Sequence, residues 1–176
     1  TKLSIKTFTI AKIAGIKLCE SFNRQFGCDY RCLMPTNLYG IGDNYHDKNS
    51  HVIPALIRRI AHAKKHNLPQ VTIWGTGKPK REFLFSEDLA SACYFFMNLP
   101  KKQIRNAVPD QRSHFNVGFG QDISISSLVE LISKVIGYSG SIQYDISKPD
   151  GTMKKLLDSS LINELGWKPS TNLKSG

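Results

Sequence analysis

The spacing of apolar and polar positions along the chain predicts an alternation of helices and strands. Residues 9–26 and 51–66 carry apolar side chains at helical intervals, and Gly27 stands where a C-terminal cap belongs. Residues 29–34, which end in Cys-Leu-Met, and residues 71–74 are predicted to form buried strands. This alternation predicts an open α/β sheet.

The same alternation continues through the second half of the chain. A strand at residues 81–85 leads into a helix over residues 86–99, with Ser86 as its expected N-cap. Residues 100–113 are polar and basic, which predicts a loop that faces water. The remaining predicted elements are strands at residues 115–118 and 142–144, a helix from its N-cap Ser124 to residue 136, and a final helix at residues 159–165.

A polar segment follows the first predicted strand, at the point where that strand ends. It begins with Met-Pro-Thr-Asn-Leu-Tyr-Gly over residues 34–40 and runs to the helix that starts near His51, with Pro54 in its first turn. Loops at the carboxyl ends of such strands carry most of the chemistry in open α/β sheets. We therefore expect a ligand-binding site at this segment.

Several motifs in this chain resemble those of GDP-L-fucose synthases, a family of extended short-chain dehydrogenases/reductases, in the same order and almost without gaps from about residue 8 onward. The motifs are AKIAG at 11–15, PTNLYG at 35–40, SHVIPALIRR at 50–59, WGTGKPKREF at 74–83 and KPDGT at 148–152. The resemblance implies an α/β fold corresponding to the carboxyl-terminal part of such an enzyme. Residues 1–50 would be a remnant of the dinucleotide-binding Rossmann domain, and residues 51–176 a smaller substrate-binding domain for a GDP-sugar.

A Gly-rich turn between a first strand and a first helix, which would hold the pyrophosphate of a dinucleotide, is not found near residue 1. By resemblance the chain begins after that turn. The helix and strand at residues 9–34 would then lack their usual sheet partners, which predicts an exposed apolar face and an unpaired strand edge. We expect self-association, or a missing amino-terminal half, to cover them.

Catalytic candidates come from the resemblance. Short-chain dehydrogenases place Tyr-x-x-x-Lys on one helix, where four residues bring both side chains to the same face. Here the lysine matches Lys12, but Phe8 occupies the tyrosine position and has no proton to exchange. His51 matches an epimerisation residue of the family. Without the resemblance, Lys12 is explained as a surface lysine and His51 as a polar residue at a helix start.

Binding candidates are also implied by the resemblance. NADP would contact Lys12, Pro35, Thr36, Asn37, Leu38 and His51. The GDP-sugar would contact Arg59, Trp74, Arg81, Asp150 and Lys155. The cations suit a diphosphate and the indole suits a flat guanine or ribose. Solvated surface charge, a buried indole and an ordinary strand-exit turn are the alternative explanations of these residues.

The net charge of +10 has two explanations. It would suit a nucleic-acid binder, but the lysines and arginines are scattered and no nucleic-acid module accompanies them. A diphosphate pocket needs cations as well, and we favour that explanation.

The four cysteines predict reduced, partly buried thiols rather than a metal site. With neither a signal peptide nor an apolar membrane segment recognised, the expected location is cytoplasmic, without a membrane partner.

The function implied by the resemblance is NADPH-dependent 3,5-epimerisation and 4-reduction of GDP-4-keto-6-deoxy-D-mannose to GDP-L-fucose. This chain would supply the GDP-sugar-binding part and would be inactive alone. The alternative is a non-catalytic module that binds a GDP-sugar or serves in oligomerisation.

Overall fold

The computed structural model describes residues 2–47, 49–108 and 114–176, with side chains from residue 9 onward. In these residues, helices alternate with short strands. The helices are α1 (Lys2–Phe26), α2 (Val52–Lys65), α3 (Ser86–Asn98), α4 (Lys101–Ala107), α5 (Ile125–Ile136) and α6 (Ser160–Glu164). The strands are β1 (Cys32–Pro35), β2 (Asn37–Tyr39), β3 (Gln70–Trp74), β4 (Lys80–Phe85), β5 (His114–Val117), β6 (Asp122–Ser124), β7 (Ser141–Asp145) and β8 (Lys154–Lys155).

The strands form three small sheets whose pairs are mostly parallel. β1 pairs with β5, and β3 pairs with β7. β4 lies at the centre of the third sheet, parallel to β2 and β8 and antiparallel to β6. Both strands before residue 50 therefore pair with strands after it, and the division of the chain at residue 50 stays a prediction.

Two apolar clusters hold these layers together. In the first, α2 and α5 pack on β3 through side chains such as Ile60, Ile73 and Val129. The second cluster joins α3, α4, β5 and α6 around residues such as Phe96 and Phe115. β4 contributes to both, since Phe83 belongs to the first cluster and Leu84 to the second. Successive strand residues point to opposite faces, so one strand can serve two cores.

The predicted helix boundaries at α2 and α5 are confirmed within one residue. α5 has the expected cap, because the Ser124 hydroxyl accepts from the Ser127 amide at 3.0 Å, and Gly137 ends the helix with φ 73°. α1 likewise ends before Gly27, whose φ is 67°. α1 begins at Lys2, which is earlier than predicted.

Two predicted elements need correction. Residues 101–107 form α4 rather than a loop, because Ile104 and Val108, the residue just after the helix, are buried in the second cluster. Lys102 is exposed, whereas Lys101 is half-buried and its Nζ donates to the Gly27 carbonyl at 2.7 Å. Residues 109–113 of that predicted loop lie outside the described residues. Ser86 is the first residue of α3 and not its N-cap, which is Phe85. The strands β2, β6 and β8 were not predicted.

An exposed apolar face on α1, which the sequence predicted, is present. Ile10, Ile13, Leu18 and Phe26 each expose more than half of their surface, and Phe22 stacks on Phe26 with ring centroids 5.3 Å apart. In the described residues, β1 pairs along one edge only, with β5. The described residues therefore offer an apolar surface on α1 and a free strand edge on β1.

Candidate functional site

Four segments of the chain converge on one cavity of about 200 Å³, which we call the Trp74 cavity. Its wall contains Arg59 from α2, Trp74 from the end of β3, Arg81 from β4 and Asp150 from the loop before β8. Two cations, one carboxylate and one indole thus face a shared space. The fifth predicted substrate residue, Lys155, does not line it.

The indole of Trp74 is 66% exposed and lies beside two cations. The Cζ of Arg59 and the Nζ of Lys148 are each 5.9 Å from its ring centroid, within the range of a cation–π contact. Arg59 Nη1 also donates to the Thr72 carbonyl at 2.9 Å, which fixes the guanidinium. An exposed indole with two cations near it combines a flat surface on which a base can stack with local positive charge.

The pKa of Arg59 is shifted by its surroundings. Burial lowers the pKa of the Arg59 guanidinium, and the neighbouring charge of Arg58 lowers it further. Arginine has so high an ordinary pKa that Arg59 remains charged at neutral pH. Arg58 does not line the Trp74 cavity and forms an ion pair with Asp47 instead, because adjacent residues on a helix point about 100° apart.

Asp150 is held by the turn that follows β3. Its two carboxylate oxygens accept from the Thr76 hydroxyl at 2.6 Å and the Thr76 amide at 2.9 Å. These two hydrogen bonds, the hydroxyl first, lower the pKa of Asp150 below its ordinary value. The close approach needs a glycine at 75, because a Cβ there would lie 2.4 Å from Asp150 Oδ1 and because Gly75 has φ 80°. Asp150 is therefore ionised and fixed at neutral pH.

Arg81 is anchored by the loop before β8, which also carries Asp150. Its Nη1 donates to the carbonyls of Thr152 at 2.5 Å and Lys80 at 2.7 Å. In the parallel pair of β4 and β8, Arg81 lies opposite Lys155. Lys155 is thus next to Arg81 along the sheet, although it lies outside the cavity wall. Residues opposite each other on neighbouring strands point to the same face of the sheet, so Arg81 and Lys155 share a face.

A second and larger cavity of about 490 Å³, the rim cavity, lies at the end of β2. Its wall includes four of the predicted cofactor residues, namely Thr36, Asn37, Leu38 and His51. Pro35 and Lys12 are not part of the wall. Lys12 lies on an exposed part of α1, and Phe8 lies on α1 with its side chain outside those described. The structure therefore brings four of the predicted cofactor residues together in the rim cavity, but Lys12 is not among them.

The polar rim residues also have structural partners. Thr36 Oγ1 and Asn37 Nδ2 both donate to the Glu82 carbonyl, at 3.2 Å and 2.9 Å. His51 is the N-cap residue of α2, is exposed, and makes no side-chain capping hydrogen bond. Its imidazole therefore faces the rim cavity without serving the helix.

The two cavities are neighbours along α2. Val52 lines both of them, with His51 on the rim side and Arg59 on the Trp74 side. Eight residues of helix separate His51 from Arg59, which is about 12 Å along the axis. One elongated ligand can thus lie along the start of α2, with one end in each cavity.

Thr76 and Glu82, two residues that shape these walls, were missed by the sequence reasoning. Thr76 fixes Asp150, and the buried Glu82 holds the rim through its carbonyl. For Glu82 the signal was weak, since it follows Lys80 and Arg81, and only the apolar residues 83–85 after it indicate that the strand is buried there. For Thr76 the sequence carries none, because its partner lies 74 residues away.

The described part of the chain offers neither a metal site nor a disulfide. In residues 2–47, 49–108 and 114–176, no group of His, Cys, Asp and Glu side chains could hold a metal ion. The cysteines are free thiols. Cys19, Cys28 and Cys32 are partly buried as predicted, but Cys93 is exposed, which corrects the prediction for that residue. None of the described helices combines the length and apolarity that crossing a membrane requires.

Comparison with known proteins gives one family. The model of the NAD dependent epimerase/dehydratase family matches residues 4–118. GDP-L-fucose synthase of Escherichia coli strain K12 is 52% identical over 169 residues, which is 96% of this chain and 53% of that protein. Probable GDP-L-fucose synthase 1 of Oryza sativa subsp. japonica is 49% identical over 172 residues, again 96% of this chain and 49% of that protein.

A solved structure is similar as well. The GDP-D-glycero-L-gluco-heptose synthase of Campylobacter jejuni, determined in the presence of NADPH, superposes with a TM-score of 0.81 at 34% identity. The match covers 96% of this chain and 56% of that one. The chain thus spans about half the length of the proteins that it matches.

Proposed function

Because the chain belongs to the NAD dependent epimerase/dehydratase family, we propose that it is the GDP-sugar-binding part of a GDP-L-fucose synthase-like protein. The observation that carries this proposal is the Trp74 cavity, where Arg59, Trp74, Arg81 and Asp150 meet from four separate segments. The guanidinium groups suit the diphosphate, the indole suits the base, and the ionised Asp150 suits hydroxyl or amine donors. Lys155, beside Arg81, adds positive charge.

The whole protein's reaction is then NADPH-dependent 3,5-epimerisation and 4-reduction of GDP-4-keto-6-deoxy-D-mannose. The volume of the rim cavity is within the range that small-molecule and cofactor sites occupy. Thr36, Asn37, Leu38 and His51 would hold the nicotinamide end, and Pro35 would support them from β1. NADPH, when bound, supplies the hydride for the reduction. The elongated GDP-sugar would place its sugar in the rim cavity and its nucleotide in the Trp74 cavity.

Two residues of this chain have proposed chemical roles. His51 acts as an acid in the epimerisation, because its imidazole lines the rim cavity and is not used as a helix cap. Lys12 anchors the cofactor, although in the described chain it lies outside the rim cavity wall. Phe8 cannot exchange a proton as a tyrosine does, so we expect no reductase activity from this chain alone.

Selective nucleotide binding tests the proposal. The purified chain should bind GDP more tightly than GMP by about tenfold or more, because GMP lacks one phosphate for the cations of the Trp74 cavity. UDP keeps the diphosphate but offers a smaller base to Trp74, so it should also bind more weakly. Isothermal titration calorimetry with the three nucleotides measures the differences. Equal affinity for GDP, GMP and UDP would count against a GDP site.

A non-catalytic GDP-sugar-binding module is the second candidate, and the phenylalanine at position 8 favours it. Both candidates predict GDP binding, so an activity assay separates them. The chain, both unsubstituted and as Phe8→Tyr, is incubated with NADPH and the keto sugar, with and without an added amino-terminal half of a relative. Oxidation of NADPH only in the mixture would support a part of an enzyme, whereas none in either would support the module.

The exposed face of α1 supports a proposal about partners. We expect a second copy of the chain, or an amino-terminal half, to cover it, because Leu18 and Phe26 are exposed and because β1 pairs along one edge only in the described residues. Leu18→Lys should shift the chain toward monomer in sedimentation velocity without altering its circular dichroism. Val135→Lys is the control, since Val135 is exposed on α5, on a different element. A monomeric unsubstituted chain would contradict self-association.

A further inference from the structure

Glu82 is a buried carboxylate inside β4. Its side chain is 0% exposed, and its neighbours along the strand are Arg81 and Phe83. Burial of a carboxylate is costly unless its oxygens accept hydrogen bonds. The partners of these oxygens therefore show what the residue holds in place.

Both oxygens of Glu82 accept from backbone amides of other segments. Oε1 accepts from Gly120 at 2.7 Å, in the loop between β5 and β6. Oε2 accepts from Leu157 at 3.1 Å, two residues after β8. The carboxylate fits closely, because a Cβ at Gly118 would lie 2.4 Å from Oε1. One side chain thus ties two loops to the central strand of the sheet.

The same residue also contacts the rim through its main chain. Its carbonyl accepts from Thr36 Oγ1 and Asn37 Nδ2, which line the rim cavity. Glu82 therefore has hydrogen bonds to the rim, to the β5–β6 loop and to the segment after β8.

The position of Glu82 also bears on the Trp74 cavity. Successive residues of a strand point to opposite faces, so Glu82 lies behind the strand while Arg81 faces the cavity in front. Lys155 pairs with Arg81, and Leu157, the partner of Glu82, is two residues further along the same segment. Holding Leu157 therefore fixes the segment that carries Lys155 and follows Asp150.

From these contacts we propose that Glu82 is a positioning residue for GDP-sugar binding. Its carboxylate holds Gly120 and Leu157 on the buried side of β4 and so fixes β8, and the loop at 150–153 before it, against Arg81. The inference rests on the proposed function of the Trp74 cavity as the GDP site. It assigns Glu82 no contact with the ligand itself.

Glu82→Gln tests the proposal with little change in side-chain volume. The side-chain nitrogen of the glutamine carries hydrogens where the carboxylate had an acceptor oxygen. This nitrogen therefore faces one of the two backbone N–H groups without accepting a hydrogen bond from it. We expect the Kd for GDP, measured by calorimetry, to rise about tenfold. An unchanged Kd would overturn the proposal.

Asp88→Asn is the matched control. Asp88 is also a buried carboxylate, 3% exposed, and accepts from Ser170 and Thr171. It lines neither cavity. Both variants should lose thermal stability, but Asp88→Asn should keep the affinity of the unsubstituted chain at a temperature where both are folded. An equal loss of affinity in both would reduce Glu82 to a general structural role and overturn the proposal.

A ligand-free measurement keeps the test independent of the proposed function. In amide proton–nitrogen correlation spectra, Glu82→Gln should shift the signals of Gly120 and Leu157 and also those of Arg81 and Lys155, whereas Asp88→Asn should leave all four in place. Unmoved Arg81 and Lys155 signals would overturn the positioning role. If the unsubstituted chain binds no GDP, the proposed function fails and the spectra still decide whether Glu82 positions these residues.

A second variant covers the case in which Glu82→Gln does not fold. Gly118→Ala places a methyl group against Glu82 Oε1 and displaces the carboxylate without removing it. Like Glu82→Gln, it should weaken GDP binding. It should also shift the Leu157 amide signal in the same direction as Glu82→Gln does. A Gly118→Ala chain with native affinity and a native Leu157 signal would contradict the proposal.

Discussion

Arg81→Met is expected to raise the Kd for GDP roughly thirty- to hundredfold, which corresponds to about 2–3 kcal/mol of binding free energy. Arg81 lines the Trp74 cavity and is held there by its hydrogen bonds to Thr152 and Lys80. A guanidinium fixed in this way pays little entropy on binding a phosphate. Methionine keeps the bulk of the side chain but has no charge and no donor. Isothermal titration calorimetry on the purified chain measures the effect.

Two further variants separate charge from geometry. Arg81→Lys retains the charge and loses the planar pair of donors, so its affinity should fall between those of the unsubstituted chain and Arg81→Met. Arg105→Met removes the same charge from the exposed side of α4, away from the cavity. It should change the Kd by less than about twofold at physiological ionic strength, because exposed distant charges are screened. A loss as large as that of Arg81→Met would mean that net charge, and not the cavity, governs binding.

Elements with a strong local pattern could be predicted from the sequence. α2 and α5 have continuous apolar stripes, and Ser124 and Gly137 mark the ends of α5 with side-chain and backbone chemistry that acts within a few residues. The strands β2, β6 and β8 are two or three residues long and exist because β4 lies between them. No local pattern can predict such strands, since their hydrogen bonds come from residues far away in the chain.

α4 shows a different limit of local reasoning. Its sequence is mostly polar, and only Ile104 and Val108, the residue just after the helix, are fully buried there. Two apolar positions four residues apart are compatible with a helix, but they are too few to outweigh a polar, basic composition. Tertiary burial on the second apolar cluster decides the outcome there.

The candidate site was also predicted only in part, because some of its contacts join residues that are distant in the sequence. Arg59, Trp74, Arg81 and Asp150 were selected by resemblance, and the structure adds that they line one cavity; their binding roles stay predictions. The residues that fix this wall, Thr76 and Glu82, were not selected, because they act through partners distant in sequence.

Phe96→Ala is expected to lower the free energy of unfolding by about 3–5 kcal/mol. Phe96 is 2% exposed, and its ring centroid lies 4.6 Å from that of Phe115 on β5. Truncation leaves a cavity between α3 and β5, and the nearby backbone can close it only in part. Because a domain has only about 5–15 kcal/mol of stability, the loss is a large share of the total. Urea unfolding monitored by circular dichroism gives the change in midpoint and slope.

Tyr94→Ala is the control on the same helix, because Tyr94 is also aromatic but is 73% exposed. It should change the unfolding free energy by no more than about 0.5 kcal/mol. Phe96 belongs to the second apolar cluster, whereas Ile73, which lines the Trp74 cavity, belongs to the first. The GDP affinity of folded Phe96→Ala should therefore equal that of the unsubstituted chain. A weakened affinity in the folded variant would mean that the two clusters are coupled through their shared strand β4.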